Sequence, residues 1–434
     1  MQRSGAECSQ SCYKMFFMKK NYSAVFYTLL ILLISSCAKT NTIPNQKTEI
    51  IVLPPNGPSV INSSNRFAFD FFRATLQKDV ESNNKLISPL SIYLALSMVC
   101  NGANNATKDS IANTLRLDGI DINSLNSLCH TLISSFPGED NRVQLSIANS
   151  IWYRQNSYKP LSSFLNIVES NYKASINPLN FNDPNSVKTI NNWVAQKTNN
   201  KISQVIQSIS TDDLMYVINA IYFNGAWKYA FNTSNTTKDV FYLQDGSTRS
   251  VPFMKQKITT KMFANNAFTL IELPYGGGKS FSMYLLKPTN QQESLKTFAL
   301  SINEYILKDA INKMDSFSFE LQIPKWEYSY ELKDVRSELS MLGMGIAFGD
   351  GADFSKLYDP QQTSVHISKA IHKAYIKVNE EGTEAAAVTI IGIGVTSFPA
   401  LPSVLKIDHP FLYTIIEKQT GAVLFLGTVN DPSK

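Results

Sequence analysis

Apolar residues recur at helical spacing early in the chain and crowd into strand-length runs later. In "NRFAFDFFRATLQKDV" (65–80), Phe67, Phe71 and Leu76 share a helical face. "ISPLSIYLALSMVCNGA" (87–103) predicts a second helix, with Ser88 as N-cap and Pro89 at the first helical position, where those residues are favoured. A third helix is predicted over "ATKDSIANTLRL" (106–117), where Ile111 and Leu115 are four apart. Further on, "LMYVINAIYFNGAW" (214–227) is a β-branched and aromatic run that reads as a strand buried on both faces. "FTLIELPYGGGKSFSMYLLKP" (268–288) predicts two strands around a Gly-rich turn, and "FSFELQIPKWEYSYEL" (317–332) one more extended run. "ELSMLGMGIAF" (338–348) begins as a short helix that stops at its glycines, and "HPFLYTIIEKQTGAVLFLGTV" (409–429) is a hairpin turning near Gly421. Helices first and strands later indicate an α+β fold with more than one sheet. No linker-like shift and no repeat interrupts residues 65–434, so they read as one large domain.

The N-terminus follows a different pattern. Lys19 and Lys20 precede the apolar run "AVFYTLLILLISSC" (24–37), which is too short to span a bilayer comfortably. With the small residues Ser35 and Ser36 it makes a secretory signal. "ISSC" (34–37) resembles the lipobox of bacterial lipoproteins, whose cysteine is acylated and becomes the mature N-terminus. That resemblance implies lipidation at Cys37 and an exported protein tethered to the bacterial envelope; an ordinary signal would give an extracellular one. Residues 1–36 are thus signal, with those before Met18 an upstream extension, and the proline-bearing segment 37–64 is a tether. Cys8 and Cys12 fall in the extension. Cys100 and Cys129 alone make no disulfide framework, and Cys100 reads as a small buried hydrophobe.

Composition narrows the chemistry. The chain of 434 residues is 44% hydrophobic and 17% charged, enough apolar material for a large core. A net charge of +5 without a Lys/Arg run gives no nucleic-acid groove. Four histidines (His130, His366, His372, His409) form no metal-ligand spacing, so no metal and no cofactor is expected. No G-x-S-x-G elbow is present, and "GMGIAFG", "GIGVTS" and "YGGGK" lack phosphate-loop spacing. There is no candidate nucleophile, and an enzyme is not expected.

The segment "NEEGTEAAAVTIIGIGVTSFPALP" (379–402) is unusual. After the strand-like "IHKAYIKV" (371–378), alternate positions from Thr383 through Ala385, Ala387, Thr389, Ile391 and Ile393 are small or β-branched and uncharged. One face of such a strand can slide into a packed sheet without burying a charge, while Glu384 on the other face stays in water. Gly382 supplies a hinge, and no proline precedes Pro399, so every N–H can join a ladder. Left outside, the segment would invite aggregation; it needs somewhere to go.

"EEGTEAAA" (380–387) resembles the reactive-loop hinge of inhibitory serpins, and further serpin-like motifs occur in family order. They are "ISPLSIYLALSMVCNGA", "NAIYFNGAW" (219–227), "ELPYGG", "IPKW", "LGM…AF…ADFS", "SKAIHKA" and "HPFLY". The resemblance covers residues 65–434. It implies three β-sheets, eight or nine helices and an exposed reactive-centre loop. It also implies a suicide substrate: a protease cleaves the loop, forms an acyl-enzyme, and is trapped when the loop inserts into the main sheet. The hinge residues are then Gly382, Thr383, Glu384, Ala385, Ala386 and Ala387, and Ser88, Ser91, Asn219, Trp227 and His372 match the family's shutter and breach. Family spacing puts the scissile bond at Thr396–Ser397, with Val395 or Phe398 as alternatives. Small β-branched residues there favour an elastase-like serine protease; a chymotrypsin-like or cysteine protease stays open. No glycosaminoglycan-binding helix is recognisable, and a monomer is expected. The alternative is a non-inhibitory serpin that serves as a binding or structural protein.

Overall fold

The computed structural model describes residues 50–78, 84–359, 361, 365–383 and 403–434. The helices among them are α1 (Gly57–Lys78), α2 (Pro89–Gly102), α3 (Asn105–Thr114), α4 (Ile122–Ser135), α5 (Ser162–Tyr172), α6 (Ser186–Lys197), α7 (Leu295–Ser301), α8 (Glu304–Asn312) and α9 (Arg336–Leu339). The strands are β1 (Lys85–Ile87), β2 (Val143–Arg154), β3 (Ser175–Leu179), β4 (Met215–Ala226), β5 (Thr237–Tyr242), β6 (Thr248–Ala264), β7 (Phe268–Pro274) and β8 (Phe281–Pro288). They continue with β9 (Asp315–Pro324), β10 (Trp326–Leu332), β11 (His372–Val378), β12 (Gly382–Thr383), β13 (Val404–Lys406), β14 (Phe411–Glu417) and β15 (Val423–Val429).

The first helix begins at Gly57 rather than Asn65, so the end of the segment read as a tether belongs to the fold. Val60, Ser64, Phe67 and Phe71 are all buried and recur at intervals of four, three and four, one continuous helical stripe. The Pro54 carbonyl accepts from the Gly57 amide at 2.8 Å, and turns the chain into the helix. Proline and polar residues at 54–64 hid that start, although proline is tolerated in a first turn. At α2, Ser88 and Pro89 stand where expected, yet Ser88 makes no side-chain cap. Its hydroxyl donates instead to the Leu424 carbonyl of β15 at 2.9 Å. α2 is buried on nearly every side, which suits its apolar composition.

The described strands hydrogen-bond into two sheets, where the resemblance implies three. One has the order β10-β11-β12-β4-β2-β3; the other runs β1-β15-β14-β8-β7-β6-β9-β13, with β5 also on β6. The reason is β6. Within its 17 residues it pairs with β5, along most of its length with β9, and through Met262–Ala264 with β7. One strand thereby joins ladders that would otherwise count separately. The extended run at 317–332 divides in the opposite sense: β9 joins the larger sheet and β10 the smaller, with Lys325 between them.

A large core fills the space between the sheets and α1 and α2. A second, smaller cluster of Trp152, Phe181, Ile190, Val194 and Ile218 seats α6 on β2 and β4. Cys100 and Cys129 are free and buried, and burial pushes their thiols up to about 11 and about 12. No helix among the described residues is long and apolar enough to cross a membrane. Cys37 and the rest of the segment read as a signal lie outside the described residues.

Candidate functional site

β11 alternates strictly: His372, Ala374, Ile376 and Val378 are buried, and the lysines and tyrosine between them are half-buried. The strand ends at Asn379, whose side chain supports a reversal. Its Oδ1 accepts from the Glu381 amide at 3.1 Å and the Gly382 amide at 3.2 Å, and its own amide donates to the Gly382 carbonyl at 3.0 Å. Asn is suited to such turns because its short side chain can replace a backbone acceptor.

The chain then enters the sheet as β12, between β11 and β4. Thr383 lies opposite Val378 on one side and Gly225 on the other, and Gly382 lies opposite Ala226. Only glycine fits at 382: φ is +156°, and a Cβ there would sit 2.1 Å from the Gly225 carbonyl oxygen. The Thr383 side chain is buried, with its hydroxyl 2.5 Å from the Tyr275 hydroxyl. Tyr275 stacks on Trp227, with ring centroids 4.5 Å apart and planes 12° from parallel. Trp227 Nε1 donates to the Asn379 carbonyl at 2.9 Å, and its backbone amide donates to the Glu381 carbonyl at 2.9 Å.

Glu380 completes this end. Its buried carboxylate accepts from the Thr236 hydroxyl at 2.7 Å and pairs with Lys325 Nζ at 2.8 Å. Burial alone would raise its pKa, but the Lys325 and Thr236 hydrogen bonds outweigh burial and hold it below the usual glutamate value. Sequence reasoning did not assign roles to Glu380, Lys325, Tyr275 or Asn379. Lys325 was hidden inside a run read as one strand, and Tyr275 inside a turn read for its glycines.

Beyond Thr383 the two flanking strands part. Among the described residues, β4 from Met215 to Asn224 pairs only with β2, and β11 from His372 to Lys377 only with β10. A cleft of about 630 Å³ lies between them, lined by Ser91, Ile92, Asn219, Ile221, His372 and Ala374 among others. Four of the sequence-predicted residues meet along its lining, where β11 begins. The Ser88 amide donates to His372 Nε2 at 3.0 Å, which makes that nitrogen the acceptor of a neutral ring. Burial pushes His372 down to about 4. Asn219 Nδ2 donates to Asn149 Oδ1 at 2.8 Å, and Asn149 donates in turn to the Tyr172 carbonyl at 2.7 Å. The Ser91 hydroxyl reaches the Asn219 carbonyl only at 3.5 Å. Asn219 Oδ1 is buried without a hydrogen-bond partner among the described residues.

Ser88, Ser91, Asn219 and His372 therefore form one cluster, while Trp227 belongs with Gly382 and Thr383 at the other end of the cleft. Of the hinge, only Gly382 and Thr383 are described. Glu384, Ala385, Ala386, Ala387 and the reactive-bond candidates Val395, Thr396, Ser397 and Phe398 lie outside the described residues. His130 meets the Ser170 carbonyl and His409 meets Asp408, which are ordinary satisfied contacts. Among the described residues no group of three or more His, Cys, Asp or Glu is placed to hold a metal.

The model of the family "Serpin (serine protease inhibitor)" matches residues 62–432. Serpin-Z10 of Arabidopsis thaliana is 32% identical over 363 residues, which cover 81% of this chain and 92% of its own length. The thermophilic serpin tengpin in its native state is 32% identical and superposes with a TM-score of 0.77, over 86% of this chain and 94% of its own. Human thyroxine-binding globulin complexed with its ligand is 26% identical with a TM-score of 0.78, over 87% of this chain and all (100%) of its own. With the family model spanning nearly all of the described fold, and a relative this similar along most of its length, the chain belongs to the serpin family.

Proposed function

We propose that this serpin is a suicide-substrate inhibitor of serine proteases with elastase-like preference. The observation that carries the reading is β12, paired with β4 through both residues and with β11 through Thr383, at the mouth of a cleft whose walls, among the described residues, pair only with their outer neighbours β2 and β10. A protease would attack the bond between Thr396 and Ser397 and become acylated on the carbonyl of Thr396. The freed segment would then extend β12 between β4 and β11, exchanging solvated backbone groups for ladder bonds along both walls.

The register supports a particular seating. Stepping six residues along each strand from the Thr383 pairs takes Thr383 to Thr389, Val378 to His372 and Gly225 to Asn219. Six is an even step, so Thr389 shares the face of Thr383. An inserted Thr389 would enter beside Asn219 and His372, where its hydroxyl supplies a donor for the unpartnered Asn219 Oδ1.

The test is to mix the protein with a pancreatic-type elastase and examine the products by denaturing electrophoresis and intact mass. A covalent adduct of the summed masses, with release of a peptide beginning at Ser397, is expected. Clean cleavage without an adduct for elastase, chymotrypsin and a cysteine protease alike would overturn inhibition. It would favour a binding role, the reading to which the likeness to thyroxine-binding globulin lends support. The lipobox-like "ISSC" supports a bacterial envelope location through acylated Cys37; Cys37→Ser should release the protein from the membrane fraction, and retention there would refute it.

A further inference from the structure

Two acidic side chains are buried beside the turn that holds the end of β4. Glu139 lies between α4 and β2 and is 7% exposed; Glu417 ends β14 and is 0% exposed. Both oxygens of Glu417 accept, Oε2 from two donors and Oε1 from one: Oε1 takes the Gln419 amide at 2.6 Å, and Oε2 takes the Thr420 amide at 2.8 Å and hydroxyl at 2.5 Å. Glu139 Oε1 accepts from Gln419 Nε2 at 2.8 Å, but its Oε2 is buried without a donor among the described residues.

Among the described residues no cation pairs with either carboxylate. Asp140, on the same turn as Glu139, adds negative charge while accepting from the Gly277 amide at 2.6 Å and the Arg142 amide at 3.0 Å. Lys418, on the hairpin turn, spends its amine on Glu272 of β7 at 2.6 Å and the Gly278 carbonyl at 3.1 Å. Ser280 is neutral. Two buried carboxylates without a counter-ion repel each other, and neither is solvated. A proton on the pair removes one charge and gives Glu139 Oε2 the hydrogen it lacks.

The turn that carries Glu139 also holds the site. The Arg142 carbonyl accepts from the Ala226 amide at 3.1 Å, and the Gly276 amide donates to the Ala226 carbonyl at 2.8 Å. Asp140 grips the same glycine turn, whose Tyr275 touches Thr383. Ala226 is the residue opposite Gly382.

We infer that Glu139 and Glu417 share one proton in the native fold, and that its loss loosens the end of β4 where Gly382 and Thr383 enter the sheet. Burial first, then the Glu417 charge, push Glu139 up to about 7, against the Gln419 hydrogen bond that favours its charged form. Burial raises Glu417 as well. The proton belongs to the pair. Because the folded value lies above the ordinary 4.5, the stabilisation is complete below 4.5 and disappears as pH rises to about 7. His372, the buried histidine of the cleft, is already neutral through the upper part of this range.

The test is amide hydrogen exchange on the full chain at about pH 5.5 and about pH 8, corrected for intrinsic exchange, in the native protein and in Glu139→Gln. Gln is neutral and carries an N–H donor, so it imitates the protonated acid. Protection of the Ala226, Trp227 and Gly276 amides should fall roughly ten-fold at the higher pH in the native protein, the scale of one pKa unit, and stay level in Glu139→Gln. A flat profile in the native protein, an equal fall in the variant, or an equal fall throughout β14 and β15 would overturn the inference. Should the variant not fold, difference infrared spectroscopy of the native protein decides: a buried carboxylic C=O band must disappear on titration through about 7.

Discussion

The two ends of the cleft between β4 and β11 are finished differently. At the Thr383 end the polar groups of the hinge have specific partners. Asn379 holds the turn, Trp227 takes the Asn379 carbonyl, Tyr275 meets Thr383, and Lys325 neutralises Glu380. At the His372 end the partners are fewer: an imidazole kept neutral by burial, a long Ser91 contact, and an Asn219 oxygen with no donor. A buried acceptor left without a donor costs about 1–3 kcal/mol, which a strand arriving with a hydroxyl can recover. On the proposed insertion, the saturated end would position the start of an added strand, and the unsaturated end would reward its arrival.

The sharpest way to break this contrast is to place a charge at the saturated end. Thr383→Arg places a cation where Thr383 is already buried in the uncleaved protein, so β12 should leave the sheet, and a later insertion must bury the charge, worth ~3–5 kcal/mol. Loop insertion should slow on the order of a hundred-fold or more, so that the protease deacylates first and cleaved product replaces adduct. An unchanged stoichiometry of inhibition would refute the account of that face. Acid probes the other end. His372 has a folded value of about 4 against 6.5 unfolded, so its contribution is present above about 6.5 and is lost as pH falls towards 4. It amounts to roughly 3 kcal/mol of unfolding free energy at most. Through that range the denaturant midpoint of the native protein should fall relative to that of a His372→Gln variant that still folds, the difference isolating the imidazole from the Glu139–Glu417 pair, which both proteins keep.

Smaller effects sharpen the comparison further. Thr389→Val keeps the shape of an inserted strand but removes the hydroxyl proposed for Asn219. The cleaved protein should lose about 1–2 kcal/mol of stability while the uncleaved protein is unaffected. Equal loss in both forms would place Thr389 somewhere other than the cleft. Trp227→Phe keeps an aromatic ring against Tyr275 and removes the Nε1 donation to Asn379 together with part of the buried indole. Its expected cost is about 1 kcal/mol; a loss of ~3 kcal/mol or more would mean that packing, not the hydrogen bond, holds the hinge.

Much of this site was legible in the residues. The alternation of small uncharged positions from Thr383 marks one face of an insertable strand, and the Thr383 side chain is indeed buried. The grouping of Ser88, Ser91, Asn219 and His372 came from the resemblance, and they meet in space although the chain separates them by up to 284 residues. Other features were not legible. Ser88 at the start of α2 satisfied every local rule for a cap, yet a β15 carbonyl competes for its hydroxyl. "FSFELQIPKWEYSYEL" alternates as one strand would, and nothing local says that Lys325 separates two sheets. The polar and proline-bearing opening of α1 concealed a stripe that Val60 and Ser64 begin.

What the sequence determined by itself are the features governed by neighbours along the chain: the helical stripes, the strand periods, a hinge glycine followed by uncharged small residues, and the family to which they point. Tertiary structure alone decided which strands share a sheet, which buried groups find partners, and where charge is left without one. Glu139 and Glu417 are unremarkable in sequence, and the 278 positions between them (417 − 139) hide that both bond the same Gln419. Their properties come from desolvation and mutual repulsion, which depend on distances that only the folded chain sets.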